Sequence, residues 1–408
     1  MLRLSLYILL ATMIGATPSQ GRTQAASDSL TGAIAAMAST GGRIEIAPGS
    51  FGMLSIRDVS PADRPLILTA ADPASPPSFS GLQIYRADNI VLENVVLDYR
   101  YHPEDPPHLR PFQIVESTNI TLRDILIDGD TAHGVDPAID GYPTAYGLGI
   151  RDSEAVHLEA SEIRGFTRGI VTERGRQITF VGNDLHGLRS DGMNFAQVED
   201  VLILANHFHD FDRALASADH ADMIQFWTRN TVGPTRNVTI RNNLLDSGEG
   251  AYTQSIFIRN EEVDTGNAGP EMFYRNITIE NNVIHNAHLH GISIGEVDGL
   301  VIRNNTLIHN PASAGDQPEL ELWRPRINVS EAARNVIVTR NVAHAVPGDV
   351  GRADWKIEQN LVVQDRSRLA PNFYGTVFVG WDWRVLSAFA PRPGGLLDGT
   401  GIGASLLP

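Results

Sequence analysis

The densest group of ionisable side chains in the sequence is the Asp-His-Ala-Asp segment that contains His220 and Asp222. An imidazole beside carboxylates offers the groups that general acid–base catalysis needs, although turn carboxylates also commonly accept backbone N–H groups. Asp191 and His290 are further candidates, because each stands directly before a glycine at the start of a short apolar strand. We predict that these four side chains form a catalytic group, with Arg326 as a supporting cation.

The strands that begin near these residues repeat a common pattern. Apolar residues alternate with other residues, which marks one buried and one outward face. The best-marked copies are Asp191–Phe195, Asp222–Phe226, Gln254–Ile258, His290–Ile294 and Pro325–Val329. Aligned on their apolar positions, they place on the outer face Asn194, Gln225, Phe257, Ser293 and Asn328. We expect the first residues of these strands to stack near one another, and the two amides Asn194 and Gln225 to bind substrate.

Loops rich in aromatic residues and arginine lie beside the same strands. They fall at about residues 207–219, 246–253, 261–273 and 310–323. Insertions beside one sheet are expected to form the walls of a cleft across it. Trp227 and Trp323 are candidates for stacking on sugar rings, with loop packing as the alternative. Arg259 and Arg324 are candidates for paired hydrogen bonds to a substrate carboxylate, with plain surface charge as the alternative.

A longer repeat predicts the fold. Nine segments share an alternating pattern and begin at Asn89, Asn119, Ala155, Gln177, Asp200, Asn237, Asn276, Gly299 and Asn335. The asparagines that follow recur with a spacing of 23 residues, from Asn183 to Asn206 and again from Asn282 to Asn305. This period is typical of a parallel β-helix, whose coils stack about 4.8 Å apart. We expect the asparagine to adopt left-handed backbone geometry and its amide to hydrogen-bond the next coil.

The composition limits the location and the partners of the protein. Arg3 precedes an apolar run of about a dozen residues, too short to cross a bilayer, and small residues follow. We predict a signal peptide over residues 1–25 and a secreted or periplasmic protein with one domain over residues 26–408. The absence of cysteine excludes disulfides and thiolate metal sites. The net charge of -16 argues against nucleic acid and membrane surfaces as partners.

With these features the chain resembles the pectin-lyase-like superfamily of right-handed parallel β-helix proteins, over nearly the whole of residues 26–408. Ser29–Ser39 is similar to the N-terminal capping helix of that family, and residues 41–49 are similar to its first strand and turn. Residues 389–403 resemble the extended C-terminal tail that often closes these proteins. The resemblance implies an all-β fold with two caps, a monomer, and a polysaccharide substrate.

The first activity that fits this resemblance is a lyase that cleaves a uronate-containing glycan by β-elimination. Such a lyase needs a group that neutralises the uronate carboxylate, a base near C5 and an acid for the leaving oxygen. Many β-helix lyases use lysine or arginine as the base, but Lys356 is the only lysine and lies in the C-terminal coil. His290 or His220 is therefore the expected base. The cofactor is left open: no metal ligand set is predicted, and Ca²⁺ is compatible with the family.

The second activity is a glycoside hydrolase of polygalacturonase type, with Asp191 and Asp222 as the carboxylate pair. The segments that begin at Asp191, His290 and Arg326 are similar, in order, to the polygalacturonase signatures Asn-Thr-Asp-Gly, Gly-His-Gly and Arg-Ile-Lys. The chain departs from them, since other residues precede Asp191, the paired Asp-Asp is missing and Asn328 replaces the lysine. A uronan C5-epimerase or a non-catalytic carbohydrate-binding β-helix is the third alternative. We predict lyase activity ahead of these.

Overall fold

The computed structural model describes residues 5–7, 29–348 and 351–406. The predicted signal peptide over residues 1–25 lies almost wholly outside these residues. The described chain winds into a right-handed parallel β-helix, in which the strand pairings between successive coils are parallel. This confirms the predicted fold class.

The strands of successive coils form three ladders that run along the helix axis. The first ladder contains β1 (Ser5–Tyr7), β2 (Gly42–Ile46), β4 (Leu66–Ala70), β6 (Asp88–Glu93), β9 (Thr118–Arg123), β12 (Glu154–Glu159), β15 (Arg176–Val181), β18 (Glu199–Leu204), β21 (Arg236–Arg241), β24 (Tyr274–Glu280), β27 (Val297–Arg303), β30 (Arg334–Thr339) and β32 (Trp355–Glu358). All nine segments predicted from the repeat are strands of this ladder.

The other two ladders are joined near the N-terminal end by β3 (Ser50–Arg57) and β5 (Ser78–Tyr85), and β5 pairs with strands of both. The second ladder contains β7 (Val96–Asp98), β10 (Leu126–Asp128), β13 (Glu162–Arg164), β16 (Asp184–His186), β19 (His207–His209), β22 (Leu244–Asp246), β25 (Val283–Asn286), β28 (Thr306–His309), β31 (Val342–Ala343) and β33 (Leu361–Val362). The third ladder contains β8 (Phe112–Val115), β11 (Thr144–Arg151), β14 (Phe166–Glu173), β17 (Met193–Ala196), β20 (Ala221–Trp227), β23 (Thr253–Ile258), β26 (His290–Ile294) and β29 (Arg326–Val329).

Helices are few and short. They are α1 (residues 29–37), α2 (Glu261–Asp264), α3 (Tyr374–Val377) and the 3₁₀ turns Pro270–Met272, Pro311–Ser313, Leu320–Trp323 and Leu386–Phe389. The apolar face of α1 is buried in the core at Leu30, Ile34 and Met37. The helix therefore covers the open N-terminal end of the β-helix, as the sequence predicts.

A line of asparagines, all buried except the partly exposed Asn360, runs between the first and second ladders. Their side chains are hydrogen-bonded from one coil to the next, and the line comprises Asn183, Asn206, Asn243, Asn282, Asn305, Asn341 and Asn360. In each link an Nδ2 donates to the Oδ1 of the following asparagine, at 2.9–3.0 Å. The same Oδ1 also accepts the backbone N–H of the preceding asparagine. The predicted amide ladder is thus confirmed.

The expectation that these asparagines adopt the left-handed backbone conformation is wrong. The positive φ angle falls one residue earlier, for example at Gly182, Ala205 and Asn242. The ladder asparagine must aim its amide along the axis, and the preceding residue makes the bend that allows it. Asparagines at the second position of first-ladder strands, such as Asn237, do take positive φ values.

The C-terminal segment packs along the side of the second ladder. Val377, Phe378 and Phe389 bury apolar surface against Val283 and Val342. The backbone N–H of Gly403 donates to Arg340, and that of Ala404 donates to the hydroxyl of Thr306. The predicted tail is present, but it covers a flank of several coils.

Replacing Asn243 by alanine should destabilise the fold strongly. Asn243 is fully buried, and its amide serves the backbone and side chain of Asn206, the carbonyl of Ile203 and the side chain of Asn282. Its loss leaves buried polar groups unpaired, so we expect roughly 3 kcal/mol less stability in urea unfolding. Thr239→Ala, on the outer face of β21, is the matched control and should change stability by less than roughly 0.5 kcal/mol. Equal midpoints for both variants would contradict this account.

Candidate active site

The strands of the third ladder begin with a row of side chains that spans successive coils. Pairing between strands places Tyr146 opposite Arg168, and Asp222 opposite Gln254. The registers of the neighbouring strands extend this alignment in both directions. The resulting set, called the leading row below, is Tyr146, Arg168, Asp191, Asp222, Gln254 and His290. The stacking expected for the last four of these residues is observed.

A second outward row follows three residues later in each strand. Pairing places Asn194 opposite Gln225, Gln225 opposite Phe257, Phe257 opposite Ser293, and Ser293 opposite Asn328. This is the alignment expected from the alternation of apolar residues. Within a coil, the leading residue and the outward residue three positions on are hydrogen-bonded in the Asp191, Asp222 and His290 coils.

Glycines hold the leading row in register. A Cβ atom on Gly169 would lie 2.7 Å from the carbonyl oxygen of Gly192, and one on Gly192 would lie 2.4 Å from that of Met223. Both distances are far shorter than van der Waals contact, so any side chain there would push the coils apart. The glycine after Arg168 and the glycine after Asp191 are therefore required by the close approach of neighbouring backbones.

Asp191 is a fully buried carboxylate that holds an arginine. Its Oδ2 accepts a hydrogen bond from Asn194 Nδ2 and lies 2.9 Å from Arg168 Nε. Its Oδ1 accepts the backbone N–H of Asp222 at 3.1 Å. Burial raises the pKa of Asp191, and the guanidinium of Arg168 opposes that rise. Arg168 itself remains 27% exposed. Its guanidinium is therefore held by Asp191 on the buried side and can be reached from solvent.

Asp222 forms a similar pair with His220. Asp222 Oδ2 accepts a hydrogen bond from Gln225 Nε2 at 2.7 Å and lies 3.1 Å from His220 Nε2. Asp222 is fully buried, and burial raises its pKa to about 6. The side chain of His220 is 49% exposed. The hydrogen bond to Asp222 raises the pKa of His220, against the opposing effect of desolvation.

Two amides connect these pairs into one hydrogen-bonded group. Arg168 donates to Asn194 Oδ1 at 3.0 Å, and Asn194 Nδ2 donates to Gln225 Oε1 at 2.7 Å. Gln225 Nε2 in turn donates to Asp222 Oδ2, the oxygen that His220 Nε2 faces. We call this set, with Asp191 and Asp222 behind it, the Arg168–His220 network. Its buried members restrict the positions of the two groups that reach solvent.

The network does not suit Ca²⁺. Ligand atoms of Asp191, His220 and Asp222 lie within 4.8 Å of one another, but Ca²⁺ takes six to eight oxygen ligands and disfavours imidazole. Both oxygens of Asp191 and one of Asp222 already accept hydrogen bonds, and both carboxylates are shut off from water. Arg168 is the positive charge of this site.

His290 belongs to a separate centre. It stands two coils from Asp222 along the leading row, with Gln254 between them. Its Nδ1 lies 2.7 Å from Ser293 Oγ, and its ring lies edge-on to that of Phe257. Burial lowers the pKa of His290 to about 4, with a smaller effect from Arg326. Arg326 pairs with His290 in the strand register, so the predicted catalytic group divides into two parts.

The predicted aromatic and arginine side chains are held by contacts within the protein. Trp323 is buried, donates its indole N–H to the carbonyl of Gln317 and packs against Tyr252. Arg324 is also buried and forms two hydrogen bonds with the carboxylate of Asp365. These contacts hold the loop before β29.

Trp227 and Arg259 lie at the far ends of their strands, away from the leading row. Trp227 is the last residue of β20, and Arg259 follows β23. The guanidinium of Arg259 pairs with Asp264 of α2 at 2.8 Å. The structure therefore does not bring these two residues to the Arg168–His220 network.

Arg168 and Tyr146 are the residues of the leading row that the sequence interpretation missed. A signal for both exists, because each precedes a glycine and an aliphatic residue, as His290 does. The coils that contain them lie before the asparagine ladder begins at Asn183, so no repeated asparagine was available there to align the strands. Tyr146 is buried, its hydroxyl lies 2.9 Å from His108 Nδ1, and Arg168 lies over its ring.

Comparison with known proteins agrees with this architecture. The family described as the right-handed beta helix region matches residues 114–315 and 222–349. The chain belongs to this family. None of the curated proteins matches the chain in sequence.

Solved structures with a similar β-helix include a tailspike protein, a lyase and an adhesin. The Dettilon tailspike protein has a TM-score of 0.51 at 12% identity, covering 82% of this chain and 62% of that one. The alginate lyase from Paenibacillus sp. str. FPU-7 has a TM-score of 0.42 at 14% identity, covering 69% and 93%. The Streptococcus pneumoniae surface protein and adhesin PfbA has a TM-score of 0.46 at 12% identity, covering 82% and 93%. At such identities the likeness concerns the fold alone.

Among the described residues, no α-helix has the length and apolar character needed to span a membrane.

Replacing Asp222 by asparagine should lower the pKa of His220. The carboxylate is the largest cause of its raised value, and an amide removes that charge while desolvation remains. The shift can be followed by NMR titration of the His220 ring. Asp219→Asn is the matched control, because Asp219 is adjacent in sequence but pairs with Arg189. An unchanged His220 titration in the Asp222 variant would refute the pairing.

Proposed function

We propose that this protein is a polysaccharide lyase that cleaves a uronate-containing glycan by β-elimination, with His220 as the proton-transfer group. The observation that carries the proposal is the Arg168–His220 network, in which one accessible cation and one accessible imidazole are fixed by a shared set of buried groups. In a uronate, the carboxylate could pair with the Arg168 guanidinium, and the acidic C5 proton could be removed by the His220 imidazole.

Arg168 is assigned to the substrate carboxylate. Pairing with a guanidinium stabilises the negative charge that develops when the proton next to that carboxylate is removed. Asp191 holds Arg168 at Nε, and Asn194 and Gln225 are the neighbouring amides. The sequence interpretation expected an arginine with these two amides in this role, although it named arginines on other loops.

His220 is assigned as the base, acting through Nδ1 because Nε2 faces Asp222. The C5–H electron pair forms the C4–C5 double bond, and the C4–O4 bond breaks. The imidazolium then gives the same proton to the leaving O4, which restores neutral His220. Asp222 orients the ring and stabilises the imidazolium between these two transfers.

The geometry favours this chemistry over hydrolysis. A glycosidase needs two carboxyl groups that face the scissile bond across a gap for water or a covalent intermediate. Asp191 and Asp222 are both fully buried, and both oxygens of Asp191 and Oδ2 of Asp222 accept hydrogen bonds within the protein. Their contacts support structural roles behind Arg168 and His220.

A panel of uronate polysaccharides should separate the candidate activities. Alginate, pectate and glucuronate-containing glycans would be incubated with the protein, and unsaturated products followed by ultraviolet absorbance. A lyase gives absorbance and new reducing ends together, while a hydrolase gives reducing ends alone. An epimerase incorporates solvent deuterium at C5 without shortening the chain. Reducing ends without absorbance, or C5 exchange without cleavage, would overturn the proposal.

On the substrate so identified, His220→Ala should lower kcat by roughly 10² to 10⁴. Arg168→Ala should lower kcat and raise KM, because it binds the carboxylate in both the ground and transition states. His157→Ala on the outer face of the first ladder is the matched control and should retain activity. His290→Ala tests the centre two coils away. If His290→Ala abolishes turnover while His220→Ala does not, the reacting group is His290 and our assignment is wrong.

A further inference from the structure

A second group of histidines lies on the outer face of the second ladder. The side chains are Asp184 of β16 and His207 and His209 of β19. Their ligand atoms all lie within 4.8 Å of one another. We propose that these three residues bind a divalent transition metal of the Zn²⁺ type.

The ladder geometry presents these side chains outward. Leu185, which follows Asp184, and Phe208, which separates His207 from His209, are fully buried in the core. Pairing places Asp184 opposite His207. The rings of His207 and His209 stack with centroids 4.3 Å apart and an interplanar angle of 25°. Ligand atoms of two imidazoles from one strand and of a carboxylate from the preceding coil thus lie close together.

The distances suit a shared metal ligand set. Asp184 Oδ1 lies 3.5 Å from His207 Nδ1 and 2.9 Å from His209 Nε2. Ligands about 2.0–2.2 Å from a tetrahedral zinc ion are themselves separated by roughly 3.3–3.5 Å. The first distance matches this value, and the second needs a shift of about half an ångström to admit the ion between the two atoms.

Asp210 supplies the second-shell feature that metal-bound histidines show. Its Oδ2 lies 2.7 Å from His209 Nδ1 and can accept a hydrogen bond from that nitrogen when it carries the ring proton. In a neutral ring, Nε2 then carries a lone pair and points at Asp184 Oδ1. Two acceptors at 2.9 Å repel each other unless a cation or a proton stands between them. A carboxylate that fixes the tautomer of a ligating histidine is typical of zinc sites.

The donor set selects the type of ion. Two imidazoles and one carboxylate suit zinc and its neighbours in the transition series, whereas Ca²⁺ prefers oxygen ligands alone. Asp184 and His207 are nearly half exposed, which leaves a fourth position open to water. Glu162, Asp246 and Asp210 add negative charge around the site, since β13 and β22 flank β16 and β19.

This site is independent of the proposed lyase centre, because it lies on a different ladder. His186 provides an internal control. It stacks on His209 at 4.8 Å, but its own Nε2 pairs with Glu162 at 3.1 Å. It therefore shares the surface of the site without being assigned as a ligand.

Calorimetric titration of untagged, chelator-treated protein with Zn²⁺ tests the proposal. We expect one Zn²⁺ per chain, a rise in Tm on binding, and visible absorption of a four-coordinate ion when Co²⁺ replaces Zn²⁺. The double variant His207→Ala/His209→Ala should lose the binding. Asp210→Asn should weaken it about 10-fold or more, and His186→Ala should retain it.

Two results would overturn the proposal. One is the absence of stoichiometric Zn²⁺ binding by the native protein. The other is binding that survives the His207→Ala/His209→Ala change, or that is lost equally in His186→Ala. Loss of lyase activity has no bearing on either result.

Discussion

Backbone hydrogen bonds between successive coils hold equivalent residues about 4.8 Å apart, and this spacing governs the chemistry of the whole surface. An outward side chain always lies next to the side chains at the equivalent positions of the two neighbouring coils. A charged side chain on this surface therefore needs a compensating partner in its own coil or in a neighbouring one. In the leading row each carboxylate has a partner that is or can be positively charged. The guanidinium of Arg168 lies next to the carboxylate of Asp191, and the imidazole of His220 lies next to the carboxylate of Asp222.

Two buried carboxylates on adjacent coils would repel each other if both were charged and unpaired. The structure separates their environments. Asp191 is served by Arg168, Asn194 and a backbone N–H, whereas Asp222 relies on Gln225 and on the partly exposed His220. The hydrogen bond between Asn194 and Gln225 links the two environments.

The fold could be predicted from the sequence because its signal is repeated many times. Alternation of apolar residues and the 23-residue spacing identify the coils, and the same alignment correctly paired Asn194 with Gln225 and Phe257 with Ser293. The candidate site was only partly predictable. Arg168 lies in a coil without the asparagine marker, and the burial of Trp323 and Arg324 depends on loop contacts with Gln317 and Asp365. Loop conformation has no periodicity from which such contacts can be read.

The C-terminal tail has a consequence for how the molecule comes apart. Coils that stack on one another alone can fray from an open end, one after another. Ser405 is hydrogen-bonded to Asn281, 124 residues earlier, and Ala404 to Thr306, 98 residues earlier. The tail thus fastens several coils at once, and these contacts between distant parts of the chain can form only after the coils exist. Interactions made late in folding mainly slow unfolding, so we expect the tail contacts to lengthen the lifetime of the folded state.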